Sequence, residues 1–314
     1  MNFPVFDLHC DTALPLLGEN FKGCGSLRKN ENHIDLERAS KLDGYAQCFA
    51  CFTTTDSDNI PVVEKFEREM ATILREVEQN RDLIRQAFSA KDVIENYNNG
   101  LMSAILTIEG PAGFGFDPAL LEDLYNVGFR MTTLGWNERN PLTGSHVTGG
   151  GLTDLGREYV KEAQRIGMII DVSHISDEGF YDIMDITNAP VVASHSNSRF
   201  VHNVSRNLTD DMFREICKTG GTVGMNLYAD FLGKEADLDT VCDHVLHLME
   251  FDPDGKHISL GGDLDGCDVL PGEFFGIGSY PRLAVKLLGC GLSEETIMNI
   301  FWNNALGVME RCCI

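Results

Sequence analysis

His9 and Asp11 stand two residues apart at the end of the apolar run Phe6-Asp7-Leu8. If that run is a β-strand, its two-residue side-chain period puts both on one face, and an imidazole beside a carboxylate can hold a divalent metal. A His-x-Asp pair is common by chance, so the rest of the chain must supply the remaining ligands. Further along, histidines and carboxylates occur at Glu109, His174, His195 and Asp263. Each has an ordinary explanation when taken alone: His174 and His195 as hydrogen-bonded core or capping residues, Asp263 as a turn residue like its neighbour Asp265.

Their joint meaning depends on the elements that carry them. Apolar runs predict eight strands: Pro4 to His9, Ala46 to Thr53, Met102 to Ile108, Phe129 to Leu134, Met168 to Val172, Pro190 to Ala193, Thr222 to Leu227 and His257 to Gly261. Between them the apolar residues recur at helical spacing, as in Val63, Phe66, Met70, Ile73 and Val77 of a helix expected from Ile60 to about Phe88. Other helices are expected over about Pro118 to Asn126, Asp154 to Ile166, Asp177 to Ile186, Thr209 to Thr219 and Ala236 to Met249, with two more, Pro281 to Leu288 and Ser293 to Glu310, closing the chain. Continuous apolar strands joined by helices are the mark of a buried parallel sheet, and eight of them predict an α/β fold of the (β/α)8 TIM-barrel type. No break in composition marks a second domain, so residues 1–314 are expected to form one catalytic barrel. The long polar segment after the first strand, which includes Gly23-Cys24-Gly25-Ser26, is expected to carry short helical turns and overhang a site.

In such a barrel the carboxyl ends of the strands open on one face. His9 and Asp11 follow the first strand, Glu109 the third, His174 the fifth, His195 the sixth and Asp263 the eighth, so residues distant in sequence converge. Three histidines and three carboxylates suit two borderline divalent ions, with Glu109 placed to bridge them. Two adjacent cations lower the pKa of a shared water enough to give a hydroxide nucleophile near neutral pH.

Composition narrows the partners. The chain has 48 acidic and 25 basic residues, a formal charge of -23, which argues against nucleic acid or an anionic membrane as partner. The first residues run straight into a core strand with no signal-peptide pattern, and no apolar stretch approaches the roughly 20 residues that span a bilayer. A cytoplasmic protein is the expectation, and its ten cysteines are read as reduced thiols. Cys48 and Cys51 have redox spacing, but within a strand they face opposite ways. Cys312 and Cys313 read as a frayed tail. The run Gly149-Gly150-Gly151 lacks the Gly-x-Gly-x-x-Gly pattern and the phosphate-loop lysine, and reads as a mobile loop.

The segments His9-Cys-Asp11, Leu106-Thr-Ile-Glu109-Gly110, Asp171-Val-Ser-His174, Ser194-His195-Ser196 and Gly261-Gly-Asp263-Leu-Asp-Gly266 occur in the order and spacing of the renal (membrane) dipeptidase family. Those are zinc dipeptidases of the amidohydrolase-like barrel group, and the chain resembles them over nearly its whole length. The resemblance implies that His9, Asp11 and Glu109 bind one zinc, and Glu109, His174 and His195 the other. It also implies that Asp263 is the catalytic aspartate and that Arg206 receives the terminal carboxylate of a dipeptide substrate. Arg206 would otherwise read as a surface residue, yet a guanidinium fork suits a carboxylate well. Tyr228 is placed in the same pocket. One departure is visible: where members of the family nearest the renal enzymes carry a histidine that binds the substrate carbonyl, this sequence has Trp136, and His146 follows ten residues later. This difference points to altered substrate preference.

The expected activity is metal-dependent hydrolysis of dipeptides, with an L- or D-residue at the carboxyl-terminal position as the resemblance implies. A homodimer is allowed. Two other readings stand beside it: a dinuclear amidohydrolase acting on a cyclic amide, lactone or phosphoester, and a catalytically impaired metal-binding barrel. The remaining histidines, His33, His202, His244, His247 and His257, read as structural or exposed.

Overall fold

The computed structural model describes residues 3–18, 25–56 and 60–313; Gly23 and Cys24 lie outside the described residues. Among the described residues there are nine parallel strands: β1 (Val5–Cys10), β2 (Tyr45–Phe52), β3 (Ile84–Gln86), β4 (Met102–Glu109), β5 (Phe129–Thr133), β6 (Ile169–Asp171), β7 (Val191–Ala193), β8 (Thr222–Met225) and β9 (Ile258–Leu260). Eight of them close into a barrel, because β2 pairs with both β1 and β4 while β9 pairs with both β8 and β1. Helices connect most of the strands, giving the expected (β/α)8 fold.

The ninth strand corrects the helix expected from Ile60 to Phe88. The helix runs Val62–Gln79 and ends at Asn80; the chain then turns into β3, which pairs Ile84 with Met102 and Gln86 with Ala104. Strand β5 meets β4 only from Leu106 onward. The lower half of that edge of β4 is therefore open, and β3 satisfies its backbone groups. Ile84 fits a helical period as well as a strand, so only the unpaired edge decides between them.

Inside the barrel Phe6, Leu8, Ala46, Cys48, Ile105, Met131 and Val192 form the floor, and Trp302, Val308, Met309, Cys312 and Cys313 close it from below. The two terminal cysteines are thus no frayed tail. They are 6% and 3% exposed, held because the helix Asn304–Cys312 plugs the barrel's lower mouth. Burying each large apolar side chain there stabilises the fold by about 1.5–3 kcal/mol. Cys48 belongs to this floor while Cys51 faces the outer helices, so the pair points opposite ways as its spacing requires. The long segment after β1 carries the short helices Ala13–Leu17 and Leu36–Ala39. Among the described residues no helix is long and apolar enough to cross a membrane.

The triple-glycine loop is tied to the helix Asp177–Met184 and its cap by hydrogen bonds. Its backbone donates from Gly150 to Glu178 Oε2 at 2.5 Å and from Leu152 to Asp182 Oδ2 at 2.8 Å, and Ser176 donates to Gly150 O at 2.7 Å.

Candidate metal centre

Strand β1 delivers its histidine through an irregularity. Between Asp7 and Cys10 three residues advance on β1 against two, Gln47 to Phe49, on β2, a bulge that re-aims side chains. Phe6 and Leu8 fill the floor, yet His9 also turns inward, its ring stacked on that of His195 at 3.7 Å. The bulge is held by Asp7, whose buried carboxylate accepts the backbone N–H of His9 at 3.0 Å, that of Gly262 at 3.1 Å and the hydroxyl of Tyr280.

Glu109 sits at the end of β4, where Ile105, Thr107 and Glu109 share the inward face by strand alternation. After it the chain turns sharply at Gly110, φ +78°, where a Cβ would lie 2.0 Å from Thr53 O. The Glu109 carboxylate divides between two groups. Oε2 lies 3.3 Å from His9 Nε2, while Oε1 lies 3.1 Å from His174 Nε2 and 3.8 Å from His195 Nε2. Asp11 Oδ2 is 3.4 Å from His9 Nε2, and Asp263 Oδ1 is 3.8 Å from it. Among the described residues these donors form three overlapping sets: His9, Asp11 and Glu109; Glu109, His174 and His195; and His9, His195 and Asp263. All of these residues are buried.

Two features show that this donor set suits cations. First, His9 Nε2 and Asp11 Oδ1 are buried with no hydrogen-bond partner, a cost proteins avoid unless another group satisfies the atom. Second, the Nε2 atoms of His174 and His195 stand 2.9 Å apart while their Nδ1 atoms meet Asn137 Oδ1 at 2.9 Å and Ser194 Oγ at 2.6 Å. Ser194 gives its own proton to Asp171, so the serine oxygen receives the His195 N–H. Both Nε2 lone pairs then converge, as metal-ligating histidines do when their other nitrogen is held.

The electrostatics agree. Burial pushes the His174 and His195 imidazoles well below their ordinary value, with Arg206 adding to it in each. Burial would lower His9 too, but Glu109 and Asp11 push it well above. Burial and the neighbouring Asp11 raise the Glu109 carboxyl to about 8. A crowded set of carboxylates beside the neutral His174 and His195 imidazoles calls for positive charge in their midst.

Asp263 adopts a left-handed backbone, φ 55°, and so does His174, φ 68°. Such conformations cost of order 1–3 kcal/mol each and gather at functional sites. Burial raises the Asp263 carboxyl, with His9 opposing, and its Oδ2 accepts from Asn226 Nδ2 at 3.0 Å. Asp265 occupies the expected turn, φ 69°, and ties the long segment down by accepting from His33 N–H and the Thr12 hydroxyl.

A cavity of about 350 Å³ opens over the cluster, lined among others by Asp11, Glu109, His174, Asp263, Phe52, Trp136, Asn137, Tyr228 and Phe231. Trp136 packs edge-on against Phe52 at 5.2 Å. Tyr228 bonds to Asp230 at the rim. Arg206 is no surface residue: it is 4% exposed, donating to Ser196 Oγ at 2.7 Å and His195 O at 2.8 Å, with the Phe231 ring 5.6 Å over its guanidinium. Its Nε is buried without a partner, and burial lowers its pKa to about 10. His146 comes to the edge of the site, its ring 6.0 Å from that of His174. His244 is a buried residue of the helix Leu238–Met249, accepting from Ser198 N–H at 3.1 Å and reaching Leu232 O at 2.9 Å, and has no part in the cluster.

The supporting residues Asp7, Asn137, Asp171, Ser194 and Asn226 are not marked by type or spacing in the sequence. The Asp-x-Ser-His and Ser-His segments contain two of them, but only the fold shows which side chain holds which ring.

The sequence pattern of the family described as membrane dipeptidase, peptidase family M19, matches residues 1–312. An uncharacterized dipeptidase of Schizosaccharomyces pombe is 30% identical over 89% of this chain and 72% of its own length; another from the same yeast is 35% identical over 67% of this chain, and the match spans only 53% of that protein. Among solved structures, a metallopeptidase from Rhodobacter sphaeroides liganded with a phosphinate mimic of the dipeptide L-Ala-D-Ala superposes with a TM-score of 0.88 at 25% identity, covering 99% of this chain and 100% of that one. A metallopeptidase described as dipeptidase AC, of family M19, gives 0.89 at 26% identity, covering 100% and 99%. With its barrel, its strand-end donors and a match over residues 1–312, the chain belongs to the membrane dipeptidase family of metallopeptidases.

Proposed function

We propose that this protein hydrolyses dipeptides with the help of two divalent ions, zinc by the His and carboxylate chemistry of the donors, and that residues 1–314 act as one catalytic unit. The observation that carries the reading is the division of Glu109, one oxygen toward His9 and the other toward His174 and His195. His9 and Asp11 would hold one ion, His174 and His195 the other, with Glu109 between them. When bound, such ions supply Lewis acidity, polarising a carbonyl and making water acidic enough to attack at neutral pH.

The chain's own groups do the rest. Asp263 Oδ1 takes a proton from the attacking water and passes it to the leaving amine nitrogen, while Asn226 keeps the carboxylate turned inward. Arg206 places positive charge where a free terminal carboxylate ends, its Nε the unused donor. Trp136, Phe52 and Phe231 exclude water, and Tyr228 lines the mouth. The rhodobacterial relative's phosphinate ligand imitates L-Ala-D-Ala, and acceptance of a D-residue at the carboxyl-terminal position is part of this proposal. Asp265 and Asp268 on the cavity wall oppose an anionic phosphoester and suit a substrate with a free amine.

A panel of L,L and L,D dipeptides, assayed with zinc content measured on the same samples, tests the reading. Turnover that follows zinc content is expected. A zinc-loaded protein that cleaves none of them would sink it.

A further inference from the structure

Asn137 follows Trp136 in the loop after β5 and lines the cavity. Its Oδ1 is shared by two imidazoles, His174 Nδ1 at 2.9 Å and His146 Nε2 at 2.8 Å. His174 directs Nε2 into the donor cluster, so its proton is on Nδ1. An amide oxygen only accepts, so the His146 Nε2 that faces it at this distance carries the proton it donates, and Ser205 Oγ lies 3.0 Å from the other ring nitrogen, Nδ1. The Asn137 carbonyl oxygen thus receives two N–H groups, and the backbone is fixed as well, since Ser145 Oγ donates to Asn137 O at 2.7 Å and His146 N–H to His174 O at 2.8 Å.

An amide whose oxygen is committed on one side presents its nitrogen on the other. Among the described residues Asn137 Nδ2 has no partner, and it is not sealed away from the cavity. The Tyr228 hydroxyl is engaged by Asp230, and the indole of Trp136 is packed against Phe52 and His174 as a wall. We propose that Asn137 serves the site twice: Oδ1 positions the ligand His174, and Nδ2 donates a hydrogen bond to the substrate's scissile carbonyl oxygen as it gains negative charge. His146 and Ser205 hold the amide in that orientation. The proposal rests on the dipeptidase reading for its second half and on the donor cluster alone for its first.

Asn137→Asp and Asn137→Ala separate the two halves. The aspartate keeps an acceptor for both imidazoles and loses the donor, so zinc affinity stays within a fewfold of the parent while kcat falls by about 10²–10³-fold with little change in KM. Binding of a phosphinate dipeptide, a tetrahedral mimic, weakens with it. The alanine also loses the acceptor, and zinc affinity falls by about 10–100-fold. Trp136→Phe removes the other nearby N–H together with part of the cavity wall, and is expected to lower kcat by less than Asn137→Asp does. The donor role is overturned if Asn137→Asp turns over within threefold of the parent, or if Trp136→Phe carries the loss instead. The positioning role is overturned if Asn137→Ala binds zinc as tightly as the parent. Should the parent cleave no dipeptide, the dipeptidase reading and the donor role fail together, while the zinc titration still upholds or overturns the hold on His174.

Discussion

His174 Nε2 and His195 Nε2 face each other at 2.9 Å, each ring locked from behind, one by Asn137 and the other by Ser194. Two lone pairs at that distance repel, and a cation converts the contact into ligation. Ser194→Ala removes the group that fixes the His195 ring. Zinc affinity is expected to drop by about 10–100-fold, read by competition with a chelating dye, with the barrel still folded by circular dichroism. Unchanged affinity would show that the serine is a bystander.

Asp263 differs from the other carboxylates in having one oxygen occupied by Asn226 and the other 3.8 Å from His9. Asp263→Asn preserves shape and removes the proposed proton acceptor. Zinc content is expected to be retained and kcat to fall by at least about 10²-fold. Loss of zinc in this variant would make Asp263 a ligand, as its place in the third donor set allows.

Arg206 tests carboxylate recognition. A charge-assisted hydrogen bond contributes about 1.5–3 kcal/mol, so Arg206→Lys is expected to raise KM for free dipeptides by roughly 10–100-fold. Dipeptide amides, which lack the carboxylate, should be handled alike by both proteins. An equal penalty on the amides would assign Arg206 a purely structural role beneath Phe231.

His244 gives a pH signature of stability that is independent of the metal cluster. Burial lowers its pKa from 6.5 to about 4. Above pH 6.5 the imidazole is neutral in folded and unfolded chains alike and contributes nothing to the pH slope. As pH falls from 6.5 toward 4 the unfolded chain takes up a proton that the folded one refuses, so stability declines, by roughly 3 kcal/mol in all. Urea unfolding of the parent and of His244→Asn across this window should show a shallower slope in the variant. Parallel curves would mean that His244 titrates normally in the fold.

The barrel was legible because its strands are short apolar runs ending in polar residues, and strand ends in such a fold share one face. That rule gathers His9, Glu109, His174, His195 and Asp263 without any contact being known. What stayed hidden depends on pairing and rotamer. Strand β3 exists because β5 leaves part of β4 uncovered, which no local window around Ile84 records. His9 faces inward only through a bulge, so the simple two-residue alternation gives the right outcome for the wrong reason. The burial of Arg206 depends on Ser196 and the His195 carbonyl, and that of Cys312 and Cys313 on the lower mouth of the barrel that the last helix fills; neither is encoded next to the residue concerned. Asn137 is an unremarkable loop asparagine until two rings are seen to share its oxygen.

The barrel closes where β1 meets β9, Asp7 opposite Leu260, and the last helix plugs the floor, so both ends of the chain complete the same object. His9 can meet His195 only after that closure, since the seam and the donors lie on the first strand together. The cation site is therefore a clock for folding: high-affinity capture has to come last, after long-range pairing that is intrinsically slow. Refolding followed at once by a zinc-sensitive dye and by tryptophan fluorescence should show zinc uptake trailing the burial of Trp302, and uptake that runs ahead of it would contradict this order. A chain stalled before the seam forms would be left without its metal, so closure of the barrel itself decides when the protein becomes competent.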